Sequence, residues 1–172
     1  AEATYHHGDL RNTMISESMK IIEEEGIDAL TLRYIAKKVG VSHTASYRHF
    51  KNMEELLVAI AIKGFDILGD MLHKVIARKS FDSAARIVGA CKVYVRFAMD
   101  HPDYYRIMFR DYIRNKTRHP ALFQKMDGIF KEWVSIMARE QSPESAMETD
   151  HMICVLAAWS LLHGYASFVI DN

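Results

Sequence analysis

The sequence predicts an all-α protein, with an N-terminal three-helix domain that contains a helix-turn-helix and a helical bundle after it. Apolar residues recur at helical spacing along the 172 residues, without sustained alternation of period two. The three prolines and eight glycines stand mostly at the edges of these segments. Hydrophobic residues make up 49% of the chain, enough for a packed core. We place the domain boundary between residues 52 and 53, giving domains 1–52 and 53–172.

The first three predicted helices are bounded by capping residues and glycines. Asp9 caps a helix that runs to Glu25, just before Gly26. Thr31 caps the second helix, and Gly40 supplies a turn residue that tolerates positive φ. Ser42 then caps a third helix that ends near residue 50. A tight turn between two short helices is the arrangement that a helix-turn-helix requires.

Five further helices are predicted, most of them longer. Pro120 suits the first turn of one of them, and Asp103 is placed to cap a short one. Polar segments at 80–82, 111–119 and 141–144 separate the apolar stretches. The predicted helices cover about residues 53–79, 83–99, 103–109, 120–139 and 145–170.

Charge is concentrated in one segment of a chain that is neutral as a whole. Lys plus Arg and Asp plus Glu both number 22, so the net charge predicts no partner. Residues 31–51 nevertheless hold five basic side chains and no acidic one. This segment is where a polyanion would bind. Its basic residues are Arg33, Lys37, Lys38, Arg48 and Lys51.

The third helix is interpreted as the DNA-reading helix. Its cap at Ser42 directs free backbone N–H groups and the positive end of the helix dipole at the duplex. Four residues that follow are predicted to be exposed and to contact base edges: His43, Thr44, Ala45 and Ser46. Three later residues can hold phosphates: Tyr47, His49 and Lys51. A solvated basic face is the ordinary alternative, but the caps, the turn glycine and the absence of acids favour DNA binding.

The stretch TLRYIAKKVGVSHTASYRHFKNMEELL resembles the TetR family of bacterial repressors, whose hallmark is a Gly-Val-Ser turn followed by Tyr-x-His-Phe. The opening YHHGDLR and the SHTASYRHF stretch resemble one subgroup. That subgroup carries a Trp-x-x-x-His-Gly motif in its C-terminal domain, present here as Trp159, His163 and Gly164.

The resemblance implies roles for individual residues. Thr31, like the three residues above, would hold a phosphate, and Arg33 would reach a base or a phosphate. Met53 stands where the family usually has Lys, so the phosphate contact of that lysine is not carried over to this chain. Thr44 stands where many members have Gly, and its branched side chain should alter how closely the helix approaches the bases.

The resemblance also implies a cavity in the bundle for a small-molecule effector. Such a cavity is apolar with a few polar groups. Core packing is the alternative for each residue taken singly, and His163 could contact a ligand, a partner subunit or only the core. The candidate lining residues are Tyr94, Phe97, Met108, Phe109, Phe123, Met126, Phe130, Trp133, Trp159 and His163.

The last predicted helix is apolar around much of its circumference, which suits burial against its own bundle and against a two-fold partner. Because the sequence ends at Asn172, either this pairing is lean or a terminal segment lies outside the sequence given. The predicted interface residues are Ala158, Leu161, Leu162, Tyr165 and Phe168.

Several classes of function lack their sequence signals. His-Glu-x-x-His, Cys-x-x-Cys, Gly-x-Ser-x-Gly and a phosphate-binding glycine loop are all missing, so we predict no enzyme activity, cofactor or metal. No apolar run is judged to approach a membrane span, and Cys91 and Cys154 are predicted to be buried free thiols.

The sequence therefore predicts a cytoplasmic, homodimeric repressor without a membrane partner, released from a palindromic DNA operator by a small-molecule inducer. The alternative is a helical ligand-binding or adaptor module that does not bind DNA.

Overall fold

A computed structural model describes residues 10–78, 82–110, 116–138 and 149–172. Within these ranges the chain forms eight α-helices, one short 3-10 helix at Ile27–Ala29 and no strand, which confirms the all-α prediction. The helices are α1 (Leu10–Glu25), α2 (Leu32–Val39), α3 (His43–His49), α4 (Met53–Ile76), α5 (Ser83–Asp100), α6 (Pro102–Met108), α7 (Pro120–Ala138) and α8 (Thr149–Asp171).

Local hydrogen bonds fix most helix starts where the sequence places them. The Thr31 hydroxyl accepts from the Tyr34 N–H at 3.1 Å, and the Ser42 hydroxyl accepts from the Ala45 N–H at 3.2 Å. The predicted Asp9 cap lies outside the described residues. The Asp103 cap is wrong because Pro102 occupies the first helical turn, which places Asp103 inside α6 and 3.4 Å from Arg106.

The turn between α2 and α3 depends on glycine. Gly40 has φ +77°, and its N–H donates to the carbonyls of Ala36 and Lys37. The Val41 N–H then donates to the Ala36 carbonyl at 2.9 Å. These bonds satisfy the last carbonyls of α2 and direct the chain into α3, which packs on α2.

The long helix α4 connects the three-helix domain to the bundle. It packs against α5, α6 and α7, while α6 also contacts α1. At Gly64 the approach of α6 is close, because a Cβ there would lie 2.5 Å from the Met108 sulfur. The core continues from α1 through α4 into the bundle, so the three-helix domain and the bundle share one set of buried side chains.

One face of α8 is apolar and exposed in the isolated chain. Leu161 and Phe168 are 75% and 66% exposed, and Tyr165 is exposed as well. Ala158 and Leu162 are half-buried. Cys154 is also exposed, which contradicts the prediction of a buried thiol, and Cys91 is half-buried. A helix that is apolar on every side does not reveal which residues face inward.

The same helix corrects the prediction about membrane spans. By length and composition alone, Ile153–Asp171 could cross a bilayer, and 11% of that window is buried inside the chain. Ser160, His163 and Ser167 interrupt the apolar run without lowering its average hydropathy enough to exclude it. Its other face packs on α5 and α7, as a helix of a globular bundle does.

Candidate nucleic-acid interface and ligand cavity

The start of α3 presents polar side chains to solvent. Ser42, His43 and Thr44 are exposed, and Tyr47 is 46% exposed. The His43 and Tyr47 rings meet edge to face with centroids 4.7 Å apart, since residues four apart share a helix face. This contact orders the two largest side chains of the exposed surface.

Ser46 is not part of that surface, and its predicted exposure is wrong. It is 0% exposed, and its hydroxyl donates to the His43 carbonyl at 2.7 Å. Ala45 is half-buried against the core. A seven-residue helix that packs on α2 must bury one side, and Ser46 lies on that side with Phe50 four residues later.

The five basic side chains of residues 31–51 are not equally available to bind a polyanion. The Lys38 ammonium lies 5.3 Å from the centre of the Tyr34 ring and 3.5 Å from a Glu25 carboxylate oxygen. Tyr34, first, and then Glu25 raise the pKa of Lys38. Glu25 belongs to α1, outside the 31–51 segment, so the sequence count missed it. Arg33, Lys37, Arg48 and Lys51 are exposed around α2 and α3.

The end of the helix-turn-helix is joined rigidly to α4. The Lys51 N–H donates to the Glu55 carboxylate at 2.8 Å, and the Asn52 side chain accepts from the Glu55 N–H at 2.9 Å. This reciprocal cap, which the sequence analysis missed, holds Lys51 at the start of α4. His49 is half-buried, and Met53 is half-buried against the core.

The bundle contains a partly open cavity of about 240 Å³ between α4, α5, α7 and α8. Six of the ten predicted lining residues lie on its wall: Tyr94, Phe109, Met126, Phe130, Trp133 and Trp159. Five others were not predicted: Phe65, Leu68, Asp127, Ile129 and Leu156. Those on α4 were missed because their spacing matches plain core packing equally well.

Four predicted lining residues lie elsewhere. Phe97 and Met108 are buried in the core, where α5 and α6 pack on their neighbours. Phe123 lies in an outer groove beside the cavity. His163 stacks on Trp159, with centroids 5.0 Å apart, and is separated from the cavity by that ring. Their helix positions are apolar, but the direction of each side chain depends on the tertiary packing.

His163 forms a hydrogen-bonded cluster with two tyrosines. The Tyr94 and Tyr105 hydroxyls lie 2.9 and 2.7 Å from its Nδ1. The Tyr105 hydroxyl also donates to the His163 carbonyl at 3.1 Å. Burial, then the neighbouring Tyr105, raises the pKa of Tyr94, and burial raises the pKa of Tyr105. Both hydroxyls therefore stay protonated and can donate near neutral pH.

A polar contact joins the start of α4 to the segment before α7. His119 Nε2 lies 2.7 Å from a Glu54 carboxylate oxygen, and the Arg118 guanidinium lies 3.5 Å from the same oxygen. Glu54 follows Lys51 by three residues. The α7 side of the cavity is thereby connected to the end of the helix-turn-helix.

Comparison with known proteins identifies both halves of the chain. A family profile described as bacterial regulatory proteins, tetR family, matches residues 14–60. A second, described as the tetracyclin repressor-like C-terminal domain, matches residues 87–172. The class A tetracycline repressor from transposon 1721 of Escherichia coli is 42% identical over 50 residues, which is 29% of this chain and 23% of that repressor.

Two further matches extend into the bundle. An uncharacterised helix-turn-helix transcriptional regulator of Bacillus subtilis, YobS, is 24% identical over 98 residues, 57% of this chain. The match spans 50% of that regulator's length. A solved structure of a protein with unknown function from Rhodococcus sp. RHA1 is 27% identical with a TM-score of 0.84, covering 99% of this chain and 87% of that one.

The two profiles divide the chain as the fold does, one over the helix-turn-helix and one over the bundle. Proteins of this kind are transcriptional regulators, which confirms the prediction that the chain is not an enzyme. The chain belongs to the TetR family of bacterial regulatory proteins.

Proposed function

We propose that the chain is a transcriptional repressor that binds a near-palindromic operator as a homodimer and is released by a small molecule. The observation that carries this proposal is the orientation of α3. His43, Thr44 and Tyr47 face solvent, while Ser46 fixes the opposite side in the domain core. A reading helix needs such a rigid mounting to enter a major groove.

The exposure of each residue supports a division of roles. His43 and Thr44 read base edges, and the Ala45 methyl contacts the groove at the margin of the helix. Ser42 and Arg33 are also exposed, and we assign Arg33 to a base or a phosphate. The residues that we assign to phosphates are Thr31, Tyr47, His49 and Lys51.

A second copy of the chain covers the apolar face of α8. Leu161, Tyr165 and Phe168 recur at helical spacing on that face, and Ala158 and Leu162 border it. A monomer rarely exposes such a face to water. Two-fold pairing places two reading helices on one side of the dimer, about 34–36 Å apart for successive major grooves. A lipid membrane would cover the same face of α8, but it would give the exposed polar surface of α3 no role.

The cavity and α4 together support ligand control. Phe65 and Leu68 of α4 line the cavity, and the same helix begins two residues after Lys51. Close packing at Gly64 leaves α4 little freedom to move independently of α6. A ligand that prefers one packing of these helices changes the spacing of the reading heads and shifts the population away from DNA.

We further propose membership of the subgroup with the Trp-x-x-x-His-Gly motif, because Trp159 and His163 stack as a unit in the bundle. Residues 1–52 would bind DNA, and residues 53–172 would bind the effector and the second subunit. The protein would act in the bacterial cytoplasm, where the chromosome lies.

The direct test is selection of genomic DNA fragments from the source organism by the purified protein, followed by affinity measurements across salt. A dimer that makes six to ten phosphate contacts should lose about 10³–10⁵ in affinity between 50 and 200 mM salt. Lys51→Ala removes one phosphate contact from each subunit of the dimer and should reduce the salt slope by about two. Lys92→Ala, an exposed lysine of α5, is the matched control. A protein that retains no fragment at low salt is instead the adaptor of the alternative hypothesis.

A further inference from the structure

The wall of the bundle cavity is dominated by aromatic rings. Phe65, Tyr94, Phe109, Phe130, Trp133 and Trp159 contribute rings from α4, α5, the end of α6, α7 and α8. Several meet edge to face, including Tyr94 on Trp133, with centroids 6.1 Å apart, and Phe65 on Phe109 at 6.0 Å. Ring faces carry negative potential and attract cations.

The charged side chain on the cavity wall is also negative, as the ring faces are. Within the described part of the chain, Asp127 is the one carboxylic acid on the cavity wall, and the wall includes no lysine, arginine or histidine. Among the residues that the structure describes, the Asp127 carboxylate has no hydrogen-bond or ion-pair partner. Asp127 also borders the outer groove that contains Lys116 and Lys131, so it stands at the mouth. A ligand with an anionic group would meet this carboxylate without a compensating cation inside.

A polar group of the wall lacks a partner as well. The Trp133 indole Nε1 is buried, and no hydrogen-bond acceptor is within reach in the part of the chain that the structure describes. Trp133 is 3% exposed and lines the cavity. Buried donors are almost always paired in native proteins, so an unpaired donor beside a cavity indicates where a ligand supplies an acceptor.

The volume sets the size of the ligand. A cavity of 150 Å³ accommodates benzene. A cavity of about 240 Å³ therefore accommodates a compact molecule of about ten non-hydrogen atoms.

We propose that this cavity selects a small organic cation, a protonated or quaternary amine whose body also carries one hydrogen-bond acceptor. The cationic end lies against the aromatic rings towards Asp127, and the acceptor receives the Trp133 N–H. The proposal names the effector class of the cavity and in that respect rests on the proposed function. The ligand is thereby defined by a positive charge and by one hydrogen-bond acceptor.

Matched probes test the charge. Acetylcholine has the required size, charge and acceptor, and 3,3-dimethylbutyl acetate is its neutral isostere. Both tryptophans of the chain line the cavity, so intrinsic fluorescence reports occupancy, with calorimetry as the second readout. We expect acetylcholine to bind at least about tenfold more tightly than the neutral ester, which corresponds to about 1.4 kcal/mol. Heptanoate, an anion of similar length, should not compete.

Two substitutions assign the selectivity to named groups. Asp127→Asn should remove most of the preference for the cation, whereas Asp70→Asn, the same change on the exposed surface of α4, should leave it intact. Trp133→Phe should weaken acetylcholine by a factor of about three to ten. It should leave pentyltrimethylammonium, which has no acceptor, within about twofold.

Equal or tighter binding of the neutral ester overturns the proposal, as does the absence of binding by both cations to the folded wild-type protein. These titrations are performed without DNA. A protein that retains operator DNA but fails them keeps its proposed function and loses the cationic ligand. A protein that shows the cation preference but binds no DNA keeps the cationic ligand and loses the proposed function as a repressor.

Discussion

His163 illustrates how a polar side chain is accommodated on an apolar helix. Its Nδ1 has one lone pair, and two tyrosine hydroxyls lie within 3 Å of it, at 2.9 and 2.7 Å. When Nδ1 is unprotonated, it can accept from the Tyr94 hydroxyl while the Tyr105 hydroxyl donates to the His163 carbonyl. The cluster joins α5, α6 and α8 directly behind the Trp159 wall of the cavity.

Tyr94 gives this cluster a measurable pH signature. Because the folded state raises the pKa of Tyr94, the unfolded chain releases its proton first as the pH rises. The stabilisation is complete below about pH 10, the ordinary tyrosine pKa, and is lost progressively above it. The expected slope is about −1.4 kcal/mol per pH unit for this group. Urea unfolding between pH 9 and about 11 measures it.

In this experiment Tyr94→Phe should make the decline of stability above about pH 10 shallower by one proton. Tyr47→Phe removes an exposed tyrosine that lies outside the bundle and outside the proposed dimer interface, and it serves as the control. An unchanged slope in Tyr94→Phe would show that the hydroxyl ionises with equal ease in the folded and unfolded states.

At the scale of single residues, the sequence predicted the features that depend only on neighbouring residues in the chain. The Thr31 and Ser42 caps use atoms three residues apart, and both were predicted. The burial of Ser46 depends on how α3 lies on α2, and it was missed. The role of Tyr105 was not predicted, since its partner His163 is 58 residues away in the sequence.

The turn between α2 and α3 is the element on which the reading helix depends. Gly40 occupies the left-handed region at φ +77°, with no atom near the position of a Cβ. The cost of a side chain there is therefore conformational rather than steric contact with a neighbour. A residue other than glycine in this region costs about 1–2 kcal/mol.

Gly40→Ala should accordingly lower the free energy of unfolding by about 1–2 kcal/mol, as measured by urea denaturation. Gly128→Ala is the matched control, because Gly128 lies inside α7 with open space around it. Alanine there should be neutral or stabilising by up to about 1 kcal/mol. Equal effects of the two changes would mean that the turn does not require glycine.

Helix positions could be predicted closely because periodicity, caps and prolines are local signals. The start of α7 at Pro120 and the end of α1 at Glu25 match the predictions. The described helix α4 ends at Ile76 rather than Lys79, and α6 starts at Pro102 rather than after Asp103. The outer face of α8 could not be predicted, since apolar residues surround that helix and only its packing on α5 and α7 distinguishes them.

For the whole molecule, we propose that a second copy of the chain covers the exposed face of α8. Leu161→Glu combined with Phe168→Glu should convert a dimer into a monomer, because two charges would be buried against apolar side chains. Sedimentation at several concentrations measures the association. Met99→Glu places the same charge at an exposed apolar position of α5 and should leave the dimer intact. Dimers of unchanged stability in the double variant would assign the interface to another surface.

The central claim is that α3 reads DNA, and its most direct test compares two residues of its exposed face. The affinities of His43→Ala and Tyr47→Ala for the selected operator and for random DNA are measured at one salt concentration. Tyr47→Ala should weaken both duplexes alike, since it removes a phosphate contact. His43→Ala should cost about 1–3 kcal/mol for each half-site of the operator and little on random DNA. Equal losses on both duplexes for both variants would contradict the account.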